Sequence, residues 1–172
     1  IIKKRAVDIH EEMTAGELHD SLMICGAQLI HETLKDLNEG VIEKKNQKAV
    51  SESDLKAAPK IFKVDCQVSW NNSLHSIYNK IRGLSPYPGA WCILKNKAKN
   101  KDVSFKLFLS KKTDIQVLSG QSKNLRKAEN GILFPCSDYY LLVIEFQMEG
   151  KRRMNFDEFI AGNSIEDFEV IH

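Results

Sequence analysis

No stretch of this chain approaches the roughly 20 consecutive apolar residues that a membrane-spanning helix needs, and the mean hydropathy is −0.33. No basic start followed by an apolar run and a small-residue cleavage site is present, so no secretory signal is expected. Cysteine is scarce: Cys25, Cys66, Cys92 and Cys136 form no CxxC pair, which speaks against a disulfide scaffold or zinc site and for reduced thiols. His10, His19, His31, His75 and His172 show neither HxxxH nor HExxH spacing, so no metal is expected. Glycine is sparse, at 9 of 172 residues, and neither GxGxxG nor GxxxxGK[ST] occurs, which excludes the common phosphate-cradling loops. No Ser, Cys or His falls into a recognisable nucleophile–base arrangement. Asp8, Glu11 and Glu12 cluster, but acids before a helix start follow from the helix dipole alone.

What remains is an ordinary globular composition, 42% hydrophobic, with an uneven distribution of charge. Residues 59–153 carry 17 Lys/Arg against 7 Asp/Glu, residues 1–58 carry 8 against 11, and residues 154–172 carry none against 5. A basic middle between acidic ends is the footprint of a surface that attracts a polyanion. The alternative is a set of solvated lysines spread around a barrel.

The first residues, Ile1 to Ile9, read as a strand entered partway through, and with no initiator Met the expectation is a chain that continues upstream. Thr14-Ala15-Gly16-Glu17 is a capping box. After it Leu18, Leu22, Cys25, Leu29, Ile30, Leu34 and Leu37 recur at helical spacing, and Gly40 offers a left-handed stop. One strand and one helix cannot bury their apolar faces on each other, so the 1–40 unit is expected to need another surface or to self-associate. Residues 41–58 are polar and read as a linker, with one extended segment around Lys48–Val50. From residue 59 the character changes. An extended stretch to Trp70 leads to a short amphipathic helix starting near Asn71 or Asn72, with Leu74, Ile77, Tyr78 and Ile81 on one face, ended by Gly83, Pro86, Pro88 and Gly89. Strands are expected over 90–94, through the alternation Val103, Phe105, Leu107, Leu109, and over 114–118, 131–135 and 139–146. Short strands at this spacing predict a small closed barrel. Asn155 and Glu158 cap a last short helix that Gly162 ends.

Four segments carry a family resemblance. Thr14-Ala15-Gly16-Glu17-Leu18-His19-Asp20, followed by Cys25-Gly26-Ala27 and Glu32-Thr33-Leu34, resembles the closing strand and helix of the catalytic domain of the methionyl-tRNA formyltransferase family. Ala58-Pro59-Lys60-Ile61 and Trp70 resemble the entry to that family's C-terminal domain. The run from Ile81 to Trp91, with Arg82-Gly83-Leu84-Ser85-Pro86-Tyr87-Pro88-Gly89 inside it, resembles the domain's most recognisable motif. Gly150-Lys151-Arg152-Arg153-Met154, with Phe156 and Phe159, is similar to its closing segment. One departure is Ser69, where the family often has an acid before Trp70.

The resemblance implies a mainly β fold with flanking helices: a small OB-like Greek-key β-barrel over 59–172, preceded at 1–40 by a strand–helix remnant of an α/β, Rossmann-like catalytic domain. It implies a cytoplasmic, monomeric parent enzyme that moves a formyl group from 10-formyltetrahydrofolate to methionyl initiator tRNA. The family's catalytic Asn, His and Asp and its folate site belong upstream, so no catalytic residue is expected in this span. The barrel is expected to hold the tRNA by its backbone, with no DNA and no membrane as partner. Candidates for phosphate contact are Lys60, Lys63, Lys80, Arg82, Lys151, Arg152 and Arg153. Arg82 could equally complement a helix C-terminus. Lys95, Lys97, Lys99 and Lys101 read as a solvated hairpin, and Trp70, Trp91, Tyr78 and Phe105 as core rather than base-stacking residues. Two rivals are another folate-dependent enzyme with the same barrel, such as a sugar-nucleotide formyltransferase or a formyl-folate hydrolase, and a stand-alone oligonucleotide-binding barrel.

Overall fold

The computed structural model describes residues 1–47, 55–118, 120 and 124–171. The chain divides into two compact units, Ile1–Ile61 and Phe62–His172. The division falls three residues later than the expected start at 59.

Helix α1, Ala15–Glu39, dominates the first unit. Its ends follow from local chemistry. Thr14 Oγ1 accepts from the Glu17 N–H at 3.3 Å, and the Glu17 carboxylate accepts from the Thr14 N–H at 2.8 Å. Gly40, at φ 69°, takes the left-handed conformation that a side chain would disfavour. The expected strand over Ile1–Ile9 does not form. A strand needs a partner for its backbone groups, and among the described residues the pairing is confined to Ile1 and Lys45: the Ile1 ammonium donates to the Lys45 carbonyl at 2.7 Å and the Lys45 N–H to the Ile1 carbonyl at 2.9 Å. Side chains tie the segment to α1 instead. Arg5 grips both Glu32 oxygens at 2.9 Å and Gln28 at 3.2 Å, and Lys3 pairs with Asp36. No residue of α1 is buried. Residues 41–47 and 55–58 carry no regular structure, and the extended segment expected at Lys48–Val50 lies outside the described residues.

The second unit opens on a 3-10 turn, Lys63–Cys66, which interrupts the expected extended stretch. There the Asp65 carboxylate accepts from the Phe62 N–H at 2.7 Å, closing a local turn. Helix α2, Leu74–Leu84, starts later than expected because Asn72 is held in a turn with Ser69, and Ser73 takes the cap. It runs through Gly83 rather than ending there. Leu74, Ile77, Tyr78, Ile81 and Leu84 are buried along one face. Asp138 anchors its first turn, accepting from the Leu74 N–H at 2.8 Å. The Ser85–Pro86 and Tyr87–Pro88 peptide bonds after it are cis.

Among the described residues seven strands form one sheet: β1 Ala90–Asn96, β2 Lys101–Lys111, β3 Arg126–Ala128, β4 Gly131–Pro135, β5 Tyr140–Met148, β6 Met154–Asn155 and β7 Phe168–Val170. Their order is β3-β4-β5-β2-β1-β7, with β6 also on β5. Each ladder is antiparallel. The two ends of the path meet at an isolated bridge, Asn124 to Glu169. Gly131 is required where β4 passes β5, since a side-chain carbon there would lie 2.5 Å from the Val143 carbonyl oxygen.

In the second unit two further expectations about strands fail for identifiable reasons. The 114–118 segment forms only a bridge, Gln116 to Tyr139. The Tyr140 carbonyl, which a longer ladder would use, accepts from the Thr113 hydroxyl instead. The alternation along β2 also breaks. A register shift between Leu107 and Leu109, as at a bulge, leaves Leu109 exposed, while Phe108 is buried outside the core cluster, under Arg153. Strands β3, β6 and β7 are two or three residues long, too short for a period to show.

The core lies inside this sheet, α2 and the short helix α3, Phe156–Ile160. Trp70 stacks on Phe134 at 4.7 Å, and Phe105, Phe146, Phe159 and Phe168 meet at 5.3–6.2 Å. The capping box expected at Asn155 and Glu158 is present, and it aims Phe156 and Phe159 inward. The aromatics Trp70, Tyr78 and Phe105 are therefore core residues. The second unit is mainly β, one seven-stranded sheet with flanking helices.

Candidate nucleic-acid interface

Sheet register assembles a polar row that the linear sequence does not show. Cys92, Phe105 and Met148 pair across β1, β2 and β5 on the core side. One step along, Trp91 pairs with Lys106 and Lys106 with Gln147, so these three lie on the opposite, outer face. Trp91 is half-buried and its indole N–H donates to the Lys63 carbonyl at 2.7 Å, clamping the 3-10 turn against β1. That clamp places the Lys63 ammonium 5.7 Å from the Trp91 ring centre. Lys63, Lys106 and Gln147 line a groove of about 290 Å3 together with Ser104, Glu149 and Gly150. Gln147 donates to the Lys151 carbonyl at 2.8 Å, which fixes the start of the basic run 151–153 beside the same groove.

The expected phosphate contacts meet different fates. Lys63 is exposed and lines the groove, and Lys151 is exposed one residue beyond the lining Gly150, its carbonyl held by Gln147. Arg152 pairs with Glu158, and Arg153 with Glu145. Arg153 also lies over the Phe108 ring at 4.5 Å. Each of these two arginines thus carries a local counter-charge, which weakens its pull on a distant phosphate. Lys80 donates to the Gln67 carbonyl at 2.6 Å. Arg82 stands in the last turn of α2 and donates to Asn79 at 2.8 Å, in keeping with the helix-end reading. Lys60 belongs to the first unit. Lys97, Lys99 and Lys101 sit at the exposed β1–β2 turn, and Lys95 faces Asp102 at 3.6 Å. Lys106 and Gln147 are the residues that sequence reasoning missed. Lys106 stood in plain view between Phe105 and Leu107, but its neighbours across the sheet depend on register.

Two buried thiols of the second unit offer no nucleophile. Burial pushes Cys92 and Cys136 up to about 12, with the nearby Asp138 charge adding to the effect on Cys136. Both stay protonated near neutrality and are inert. Among the described residues no group of three His, Cys, Asp or Glu side chains could hold a metal ion, and no helix is long and apolar enough to cross a membrane.

Comparison with known proteins places this geometry. The family described as formyl transferase, C-terminal domain, matches residues 60–164. The methionyl-tRNA formyltransferase of Azobacteroides pseudotrichonymphae is 34% identical over 169 residues, which is 95% of this chain and 51% of that protein. Those of Flavobacterium johnsoniae and Clostridium acetobutylicum are 32% and 34% identical, over 97% and 96% of the chain and 51% of each relative. The chain spans about half the length of these curated relatives. Among solved structures, HypX from Aquifex aeolicus in complex with tetrahydrofolic acid shares the fold, with a TM-score of 0.54 at 16% identity over 84% of this chain and 26% of that one. With the family match running from just before the 3-10 turn to just past α3, this chain belongs to the formyl transferase C-terminal domain family.

Proposed function

We propose that this chain is the C-terminal portion of a methionyl-tRNA formyltransferase and that its second unit holds the tRNA by its phosphate backbone. The observation that carries this is identity of 31–34% to enzymes of that name along almost the whole chain. The parent would transfer the formyl group of 10-formyltetrahydrofolate to methionyl initiator tRNA in the cytoplasm. The folate site and the acid–base groups would lie in the half of the enzyme that this chain does not span. On this reading residues 1–40 close an α/β, Rossmann-like catalytic domain, 41–58 link it onward, and 59–172 form an OB-like Greek-key barrel. The Asn124–Glu169 bridge supports closure of the sheet.

Physical chemistry supports the role of the groove. Cations gain affinity for nucleic acid by releasing its condensed counterions, and RNA helices are held mainly through shape and backbone. Lys63 and Lys106 line the groove, and the exposed Lys151 follows Gly150, which also lines it, so on this reading these three carry the binding more than Arg152 and Arg153, which are paired with Glu158 and Glu145. The test is tRNA binding by the whole chain across a series of salt concentrations. Affinity should fall steeply with salt, and changing Lys63, Lys106 and Lys151 together to Ala should flatten the log–log slope by about 0.7–0.9 for each phosphate that is no longer neutralised. Initiator and elongator tRNAs should bind alike, and charged initiator tRNA with 10-formyltetrahydrofolate should gain no formyl group. Salt-independent binding, or a slope untouched by the triple change in a folded protein, would overturn the groove as the binding surface.

A further inference from the structure

We infer that Tyr87 is a stacking platform for an unpaired nucleobase, set at the rim of the basic groove; this rests on the reading of the second unit as an RNA-binding surface. Tyr87 is 86% exposed, more than any other large hydrophobic side chain among the described residues. A lone apolar side chain on a surface is unremarkable, but the loop that displays this one is held on both sides. Pro86 and Pro88 each fix φ, so the ring is presented with little backbone freedom to lose when something binds it. The base of the loop is anchored. Ser85 is buried, and the Gly89 N–H donates to the Leu84 carbonyl at 2.9 Å. A side-chain carbon at Gly89 would lie 3.6 Å from Phe108 and 3.7 Å from the Lys106 stem. The returning leg of the loop therefore lies against the residue at the centre of the outer row.

The loop that carries this exposed ring is thereby rooted beside cations that would follow a phosphate backbone. Lys106 lies at the foot of the loop, Arg153 covers Phe108 beside it, and Lys63 continues along the groove. Exposed aromatics next to a cationic track are how single-stranded nucleic acid is held, because every base has a π face. A base inside a duplex has both faces occupied by its neighbours. The occupant is therefore an unpaired nucleotide of the RNA, in an end, a bulge or a loop. Binding would add stacking to an electrostatic attraction that is otherwise blind to strandedness.

Two hairpin RNAs with the same stem test this, one blunt and one with a short unpaired tail carrying 2-aminopurine. The whole chain should prefer the tailed RNA and quench its fluorescence. Tyr87→Ala should weaken the tailed RNA by roughly five- to a hundredfold, leave the blunt one unchanged and keep the salt slope, because no charge is removed. Tyr87→Phe should behave as wild type, which separates stacking from a hydroxyl hydrogen bond. Circular dichroism should show the fold intact in both variants. If Tyr87→Ala keeps the tailed-to-blunt ratio while salt-dependent binding persists, the stacking role falls and the phosphate groove stands. If wild type binds neither RNA in a salt-dependent way, both fall.

Discussion

Two helices in this chain meet water in opposite ways. The 25-residue α1 has no buried residue, whereas the 11-residue α2 buries five. Both show apolar residues at helical spacing, and both start on a satisfied cap. The difference is what lies against them. Each apolar side chain removed from water contributes about 1.5–3 kcal/mol, and α2 collects this repeatedly against β1, β2 and β5. In α1, Leu22, Ile30, Leu34 and Leu37 remain at least half exposed, so its ends and side-chain pairs carry more of the work. Arg5–Glu32 and Lys3–Asp36 are surface pairs, whose attraction is screened by solvent and adds little to stability. Periodicity thus reports that a segment can be a helix, while burial decides how firmly it stays one.

The sharpest way to break this comparison is to truncate one apolar side chain from each unit. Phe105→Ala removes a ring packed on three others and should destabilise the second unit by about 3–5 kcal/mol. Ile30→Ala should change stability by no more than about 0.5 kcal/mol. Urea unfolding followed by circular dichroism measures both. A large loss for Ile30→Ala would mean that the α1 face is covered in solution. Sedimentation across a concentration series would then show whether a second copy covers it, as a bare apolar face invites.

The thiols sharpen the same contrast. Cys25, on α1, is half-buried, whereas Cys66, Cys92 and Cys136 are fully buried in the second unit. A thiol reagent at neutral pH should label Cys25 promptly and the other three only after denaturation. Because the folded thiols of Cys92 and Cys136 sit at about 12, the unfolded chain ionises first as the solution turns alkaline. Their contribution to stability is complete below the ordinary thiol range and is lost as pH climbs toward about 12. Equal labelling of all four in the native protein would contradict the packing described above.

The smallest expected effect is local to α1. Thr14→Ala removes the cap acceptor and should cost about 1 kcal/mol, read as faster amide exchange in the first turns with no change in the second unit. The Glu17 carboxyl is held below the usual carboxylate range by the Thr14 backbone N–H and, after it, the Thr14 hydroxyl. A depressed folded value means that this contribution is present at neutral pH and lost as pH falls through the folded value. Thr14→Ala should therefore show less acid sensitivity at this helix end than wild type.

Much of this architecture was legible in the residues because it rests on local chemistry. Thr14 with Glu17, Gly40, and Asn155 with Glu158 mark their helix ends, and the Leu74–Ile81 stripe and the 131–135 strand stand as read. What escaped depends on distant partners. The exposure of Leu109 follows from the register shift opposite β5, the 114–118 ladder gives way to the Thr113 hydroxyl, and the segment Ile1–Ile9 finds no strand partner among the described residues. The proposed binding face divides the same way. Charge counting found the basic run 151–153, but nothing in the linear order shows Glu145 and Glu158 neutralising its arginines. The Trp91–Lys106–Gln147 row exists only once β1, β2 and β5 are in register.

Strand β7 gives the sheet a particular vulnerability during synthesis. Leu94 and Asn96 of β1 find their partners in Val170 and Phe168, and Phe168 also completes the aromatic cluster around Phe105 and Phe159. A nascent chain emerging from a ribosome could assemble β1 to β6 and still present the Leu94–Asn96 stretch of β1 as an unpaired edge. Such an edge is a template for another strand, and growing chains that display one are prone to aggregate. Loss of only the residues from 168 onward, by premature termination or proteolysis, would leave that edge open for the life of the molecule.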